Sequence, residues 1–384
     1  MSAKSFTVTP TRVGCSQPTK GRSFRSIATF PRQRALGTSF TWTPTQQQSF
    51  RCMSSSTPKN GSSDKKDGDK TTAKALMNKD HDSFVENTTK INEYPTKVRP
   101  ANASCNRVVI TGSTKGLGLA LAESFLKGGD CVCISSRSTE AVGEVVAQLQ
   151  AEYGEERICG ATCDVSIGDS VEALSNHIIE YMGGVDIWIN NAGSNAYSFQ
   201  PLIDFTPSQL EEVVLTNSLG TLMCSRAAIQ LMSKQPEGGH IFLMEGAGSD
   251  GNATLKYAAY GYTKAGMKQL SKSLSSEVSH LPIGVHTLSP GMVATELLSS
   301  GRYTFGQRGR FFVNALAEPA SVVSETVVPE IRALAELTPL RKNSAISFLT
   351  PVLALQKILR RVVLGENKDR YYAEKEHQKD RSKH

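Results

Sequence analysis

From Arg107 onward, short apolar runs alternate with longer stretches in which apolar residues recur every three or four positions. The runs are Val108 to Thr111, Cys131 to Ser135, Ile158 to Thr162, Val185 to Asn190, His240 to Met244 and Ile283 to Leu288. Such short runs, rich in Val and Ile, fit strands buried on both faces, as strands are when helices cover a parallel sheet. The stretches between them, at about Leu117 to Lys127, Thr139 to Tyr153, Asp169 to Met182, Pro207 to Ser233 and Tyr257 to His280, carry helical spacing. The alternation predicts an α/β fold: a Rossmann-type doubly wound parallel sheet in a single domain over about residues 105–340. No internal repeat interrupts it.

The flanks read differently. Residues 1–53 hold eight Lys and Arg, are rich in Ser and Thr, and contain no acid; the first is Asp64. That composition, without a continuous apolar core, predicts an organelle transit peptide, a disordered leader removed on import, or else a plain basic disordered tail. Residues 54–104 are polar and aperiodic and predict a solvated linker. At the other end, residues 341–384 predict an amphipathic C-terminal extension followed by a polar tail. Within it, Ala345 to Leu364 mixes Phe348, Leu349, Val352, Leu353, Leu355, Ile358 and Leu359 with Lys357, Arg360 and Arg361. Such a segment can cover a substrate cleft, lie on an anionic membrane surface, or pack as an ordinary terminal helix.

Charge changes the picture only through the leader. The formal net charge is +7, but without those eight basic groups the 43 Lys and Arg nearly balance the 36 Asp and Glu. Nucleic-acid binding therefore finds no support. None of the eight cysteines forms a C-x-x-C pair, so no metal site is expected and free thiols fit best.

Candidate chemistry begins where the first strand ends. Thr111-Gly112-Ser113-Thr114-Lys115-Gly116-Leu117-Gly118 runs from that strand into a helix. Glycines there allow a tight turn, close approach to a pyrophosphate, and a helix N-terminus aimed at its charge. The second strand ends in Ser135-Ser136-Arg137, without the acid that would hold an NAD ribose, so Arg137 and Lys115 point to the 2′-phosphate of NADPH. Cys163-Asp164-Val165 and Asn190-Asn191-Ala192-Gly193 follow the third and fourth strands, at the sheet edge where ligands bind.

With Tyr260-x-x-x-Lys264 and Ser289-Pro290-Gly291, these motifs occur in the order and spacing of the short-chain dehydrogenase/reductase family, which the chain resembles over about residues 105–335. Four residues apart on a helix, Tyr260 and Lys264 share a face. A phenol needs such a neighbouring cation to exchange protons near neutrality. The resemblance implies that Asn217 anchors a proton path behind Lys264. It also implies that Pro290, Gly291, Val293 and Thr295 hold the nicotinamide. One departure stands out: the family's Ser-Ser after the fifth strand is replaced by Glu245-Gly246-Ala247-Gly248-Ser249. Ser249 is then expected to orient the substrate carbonyl, with Glu245 as an alternative polar contact.

Within the family, the chain looks most like the soluble chlorophyll b reductases of plastids. Ile187-Trp188-Ile189-Asn190, Gly238-Gly239-His240-Ile241-Phe242, Thr295-Glu296-Leu297-Leu298 and Phe348-Leu349-Thr350-Pro351 carry that likeness. It implies reduction of the C7 formyl group of chlorophyll b or chlorophyllide b by NADPH in the chloroplast. It leaves open whether the C-terminal extension touches the thylakoid surface or a partner protein, and it admits a homo-oligomer or a complex with a related membrane-bound reductase. A plastid 3-oxoacyl-carrier-protein reductase, and an NADPH-binding scaffold without turnover, remain the alternatives. Phe305, Phe311, Phe312 and the C-terminal extension furnish either a greasy cleft for a macrocycle or an ordinary packed lid.

Overall fold

The computed structural model describes residues 105–295, 298, 306–336 and 343–372. The expected leader and linker, Phe305 and the polar tail beyond residue 372 lie outside the described residues.

Seven parallel strands form one sheet in the order β3-β2-β1-β4-β5-β6-β7. They are β1 (Arg107–Thr111), β2 (Cys131–Ser136), β3 (Ile158–Thr162), β4 (Ile187–Asn190), β5 (Gly239–Met244), β6 (Ile283–Ser289) and β7 (Ala345–Ser347). The order reverses between β1 and β4, and that switch point opens a crevice at the carboxyl ends of the strands. The α-helices are α1 (Gly116–Lys127), α2 (Thr139–Tyr153), α3 (Gly168–Met182), α4 (Pro207–Val214), α5 (Thr221–Met232), α6 (Ala258–Glu277), α7 (Gln307–Leu316), α8 (Ala320–Ala335) and α9 (Pro351–Leu364), with short 3-10 turns at Glu155–Arg157 and Leu202–Asp204.

Alternation along β1 divides the core. Val109 joins Cys133, Trp188 and Ile241 on one face of the sheet. Val108 and Ile110 join Phe125, Ile134 and Phe242 on the other. Each such large apolar side chain, fully buried, contributes roughly 2–3 kcal/mol of transfer free energy, which anchors the strands whose ends carry the site.

Two features differ from the sequence pattern. The single helix expected over Pro207 to Ser233 is broken by a π-helical turn at Leu215–Gly220 between α4 and α5. There the buried Asn217 turns inward, and a Cβ on Gly220 would meet Val165 Cγ2 at 2.6 Å. Tertiary contacts of this kind leave no mark on apolar spacing. The second difference is β7, a strand of three residues within the stretch read as one amphipathic segment. Its Thr287↔Ala345 register extends the sheet beyond β6. Thr350 then caps α9 by accepting from Leu353 N at 3.2 Å, with Pro351 in the first turn. On α9, Lys357 pairs with Glu318 and Arg361 lies over the Phe311 ring, while Val352, Leu355, Leu359 and Val362 stay exposed.

Candidate active site

The glycine turn after β1 is shaped by close contact. Gly112 and Gly116 hold φ of 64° and 59°, the left-handed region that favours glycine. A Cβ on Gly112 would stand 3.0 Å from Ala192 Cα, and one on Gly118 would stand 2.6 Å from Asn191 Nδ2. Asn191 closes the turn from the end of β4: its Nδ2 donates to the carbonyls of Thr111 at 2.9 Å and Gly112 at 3.0 Å. Thr111 Oγ1 in return accepts from the amides of Asn191 and Ala192. Ser113 ties the same turn to β2, its hydroxyl donating to Ile110 O and accepting from Ser135 N.

Helix α1 begins at this turn with no side-chain cap and no acid in its first turn. An uncapped helix N-terminus at the end of this glycine turn fits a dinucleotide pyrophosphate. Arg137 lies exposed just past β2. Lys115 donates to Tyr197 Oη at 3.4 Å. Asp164 spends its carboxylate on the amide and hydroxyl of Ser166, at 2.9 and 2.6 Å, ahead of α3. Val165 packs against the π-helical turn. After β6, Gly291 takes φ of 70° and Val293 bridges to Glu318, which brings Thr295 against Gly116.

On the other side of the crevice, α6 presents Tyr260 and Lys264 on one face. The Lys264 ammonium lies 5.7 Å from the centre of the Tyr260 ring and donates to Met244 O at 3.0 Å. Burial pushes the Tyr260 phenol well above its ordinary value, aided by Tyr257, so it remains protonated. Burial lowers Lys264 to about 8, against an upward pull from Glu245. Asn217 completes the group through its amide: Oδ1 accepts from Ser194 N at 2.7 Å, and Nδ2 donates to Ser194 O and Thr263 Oγ1. A Cβ on Gly193 would lie 3.4 Å from Asn217 Oδ1 and 3.8 Å from Lys264 Nζ, so Gly193 sits between them.

Ser249 is buried in the same wall. Its hydroxyl accepts from Gly246 N at 2.9 Å and donates to Lys264 O at 3.2 Å. Orienting a carbonyl would require exchanging that donated bond, since a hydroxyl carries one proton. Glu245 is buried too, 3.6 Å from Lys268 Nζ. Sequence reasoning missed Gly246, Ser194 and Thr263. Gly246 leaves the space that the Tyr260 hydroxyl occupies, and its place beside the absent Ser-Ser pair was the one available signal.

The family model for short chain dehydrogenase matches residues 106–304. The chain belongs to the short-chain dehydrogenase family. It is accordingly an oxidoreductase that works with a nicotinamide cofactor. It is 48% identical over 270 residues to the chloroplastic chlorophyll(ide) b reductase NOL of Oryza sativa subsp. japonica, covering 70% of this chain and 78% of that protein. The same-named protein of Arabidopsis thaliana is 49% identical over 270 residues, covering 70% and 76%. Among solved structures, a tyrosine-to-phenylalanine variant of ElxO with NADPH bound is 26% identical with a TM-score of 0.54, covering 63% of this chain and 96% of that chain.

Proposed function

We propose that this enzyme reduces the C7 formyl group of chlorophyll b or chlorophyllide b to a hydroxymethyl group in the chloroplast, with NADPH as the reductant. The reading rests on one juxtaposition: the Asn191-Ala192-Gly193 segment packs against the glycine turn at Gly112 and beside Lys264 at Gly193, which joins the glycine turn to the Tyr260–Lys264 pair. The two chloroplastic relatives supply the substrate class and compartment.

The bound nicotinamide supplies the hydride. The chain's own residues handle the charge that appears on the former carbonyl oxygen. Tyr260, protonated at neutral pH, donates its proton to that oxygen. Lys264, close beneath the ring, favours the phenolate that remains. Asn217, fixed by Ser194 and Thr263, holds the buried polar path behind Lys264 through which the proton is restored. Gly112, Gly116 and the open N-terminus of α1 would hold the pyrophosphate, and exposed Arg137 with Lys115 would meet the 2′-phosphate. Asp164 and Val165 would border the adenine end, and Pro290, Gly291, Val293 and Thr295 the nicotinamide end.

Incubating the purified protein with chlorophyll b and NADPH, then separating the pigments by HPLC, tests the proposal. A product whose formyl group has become hydroxymethyl is expected. Turnover of acetoacetyl thioesters with chlorophyll b untouched would overturn it.

A further inference from the structure

We propose that Cys105 and Cys131 form a reversible dithiol–disulfide pair that staples the base of the β1-α1-β2 unit. Their sulfurs lie 3.0 Å apart, about 1 Å beyond the ~2.05 Å of a disulfide bond. Three backbone and side-chain bonds already hold the flanking residues together. Asn106 N and Nδ2 donate to Asp130 Oδ1 at 3.1 and 2.8 Å, and Cys131 N donates to Asn106 O at 2.9 Å. Arg332 Nε, 3.0 Å from Asp130 Oδ2, braces the same corner from α8. Part of the entropy of bringing the thiols together is thus already spent in the fold, which raises their effective concentration.

The two thiols differ in access. Cys105 is half-buried, whereas Cys131, Cys133, Cys159, Cys163 and Cys224 are buried. Burial, and the contact with Cys105, push the Cys131 thiol up to about 12, so the first attack falls to Cys105. With a small disulfide of the glutathione class as oxidant, the Cys105 thiolate attacks one sulfur and releases one glutathione. The Cys131 sulfur then attacks the Cys105 sulfur of the mixed disulfide, and its proton leaves with the second glutathione. Two electrons pass from the protein dithiol to the oxidant's disulfide, and two thiols replace it.

The bond would close a loop that contains β1, the glycine turn and α1. It lies at the amino ends of the strands, whereas the active site lies at their carboxyl ends. Oxidation should therefore stabilise the cofactor-binding half without changing turnover. The test is to equilibrate the full chain in glutathione redox buffers and follow intact mass, peptide maps, melting temperature and NADPH oxidation. Expected are a loss of about 2 Da, a Cys105–Cys131 cross-linked peptide and a melting temperature about 5 °C higher, with kcat unchanged. Cys131→Ser should instead trap a glutathione adduct on Cys105. A persistent adduct on Cys105 in the unsubstituted chain, a bridge from either residue to Cys15 or Cys52, or no oxidation under strongly oxidising buffer would overturn the proposal.

Discussion

A Cβ placed on Gly246 would stand 2.6 Å from the Tyr260 hydroxyl and 3.2 Å from Lys264 Cγ. The phenol therefore occupies space that exists only because residue 246 has no side chain. Gly246→Ala should push the phenol aside, and displacement on the order of 1 Å in a reacting group costs roughly 10²-fold in rate. The fold should survive, with overpacking costing about 1–3 kcal/mol. Steady-state kinetics beside cofactor-binding fluorescence checks this; an undiminished kcat would show that Gly246 does not set the position of the phenol.

Ser249 acts on the same turn from beneath, because its hydroxyl joins Gly246 N to Lys264 O. Ser249→Ala removes a buried bridge, at about 1 kcal/mol of stability, and should lower kcat by less than about tenfold because Tyr260 and Lys264 remain. Removing a group that polarises the carbonyl directly would cost roughly 10²–10³ in kcat. A loss of that size with unchanged urea stability would assign Ser249 to the carbonyl itself.

Much of this arrangement could be read from the chain, and the reasons differ from place to place. The β1 run and the glycine turn were legible because local rules govern both: apolar continuity for a strand buried on two faces, and glycine where the backbone must turn left-handed. Tyr260 and Lys264 were legible because a spacing of four fixes one helical face. The π-helical turn at Asn217 was not, since it arises from bonds to Ser194 and Thr263 that are distant in sequence. Three-residue β7 carries too few positions for a pattern, and its pairing with β6 creates it. Ser249 could be proposed from its place, but the partners of its hydroxyl required coordinates.

Arg137 offers a test of cofactor choice. It stands exposed immediately after β2, where an acid would otherwise hold a ribose hydroxyl. Arg137→Asp removes a partner for the 2′-phosphate and supplies an acceptor for the hydroxyl, so the ratio of kcat/KM for NADPH over NADH should fall about tenfold or more. An unchanged ratio would place the phosphate elsewhere.

Lys264 contributes a pH dependence to stability and governs that of the rate. Its folded value of about 8 lies below the ordinary 10.5, with burial as the main cause. The unfolded chain therefore binds this proton more tightly between those values, so Lys264's own contribution to stability rises with pH across that window, opposed by the buried thiols and Tyr260, whose raised values act in the other direction. The penalty of burying the ammonium is present in full below about 8 and is shed toward 10.5. Turnover follows the opposite course, because the charged form supports Tyr260, so kcat/KM should fall as pH rises through about 8. Glu245 pulls the lysine upward. Glu245→Gln should consequently move the descending limb of the profile toward lower pH. Measuring kcat/KM between pH 6 and 10 on both proteins decides the matter: a limb that stays in place, or moves to higher pH, would show that Lys264 is not the group whose proton loss ends activity.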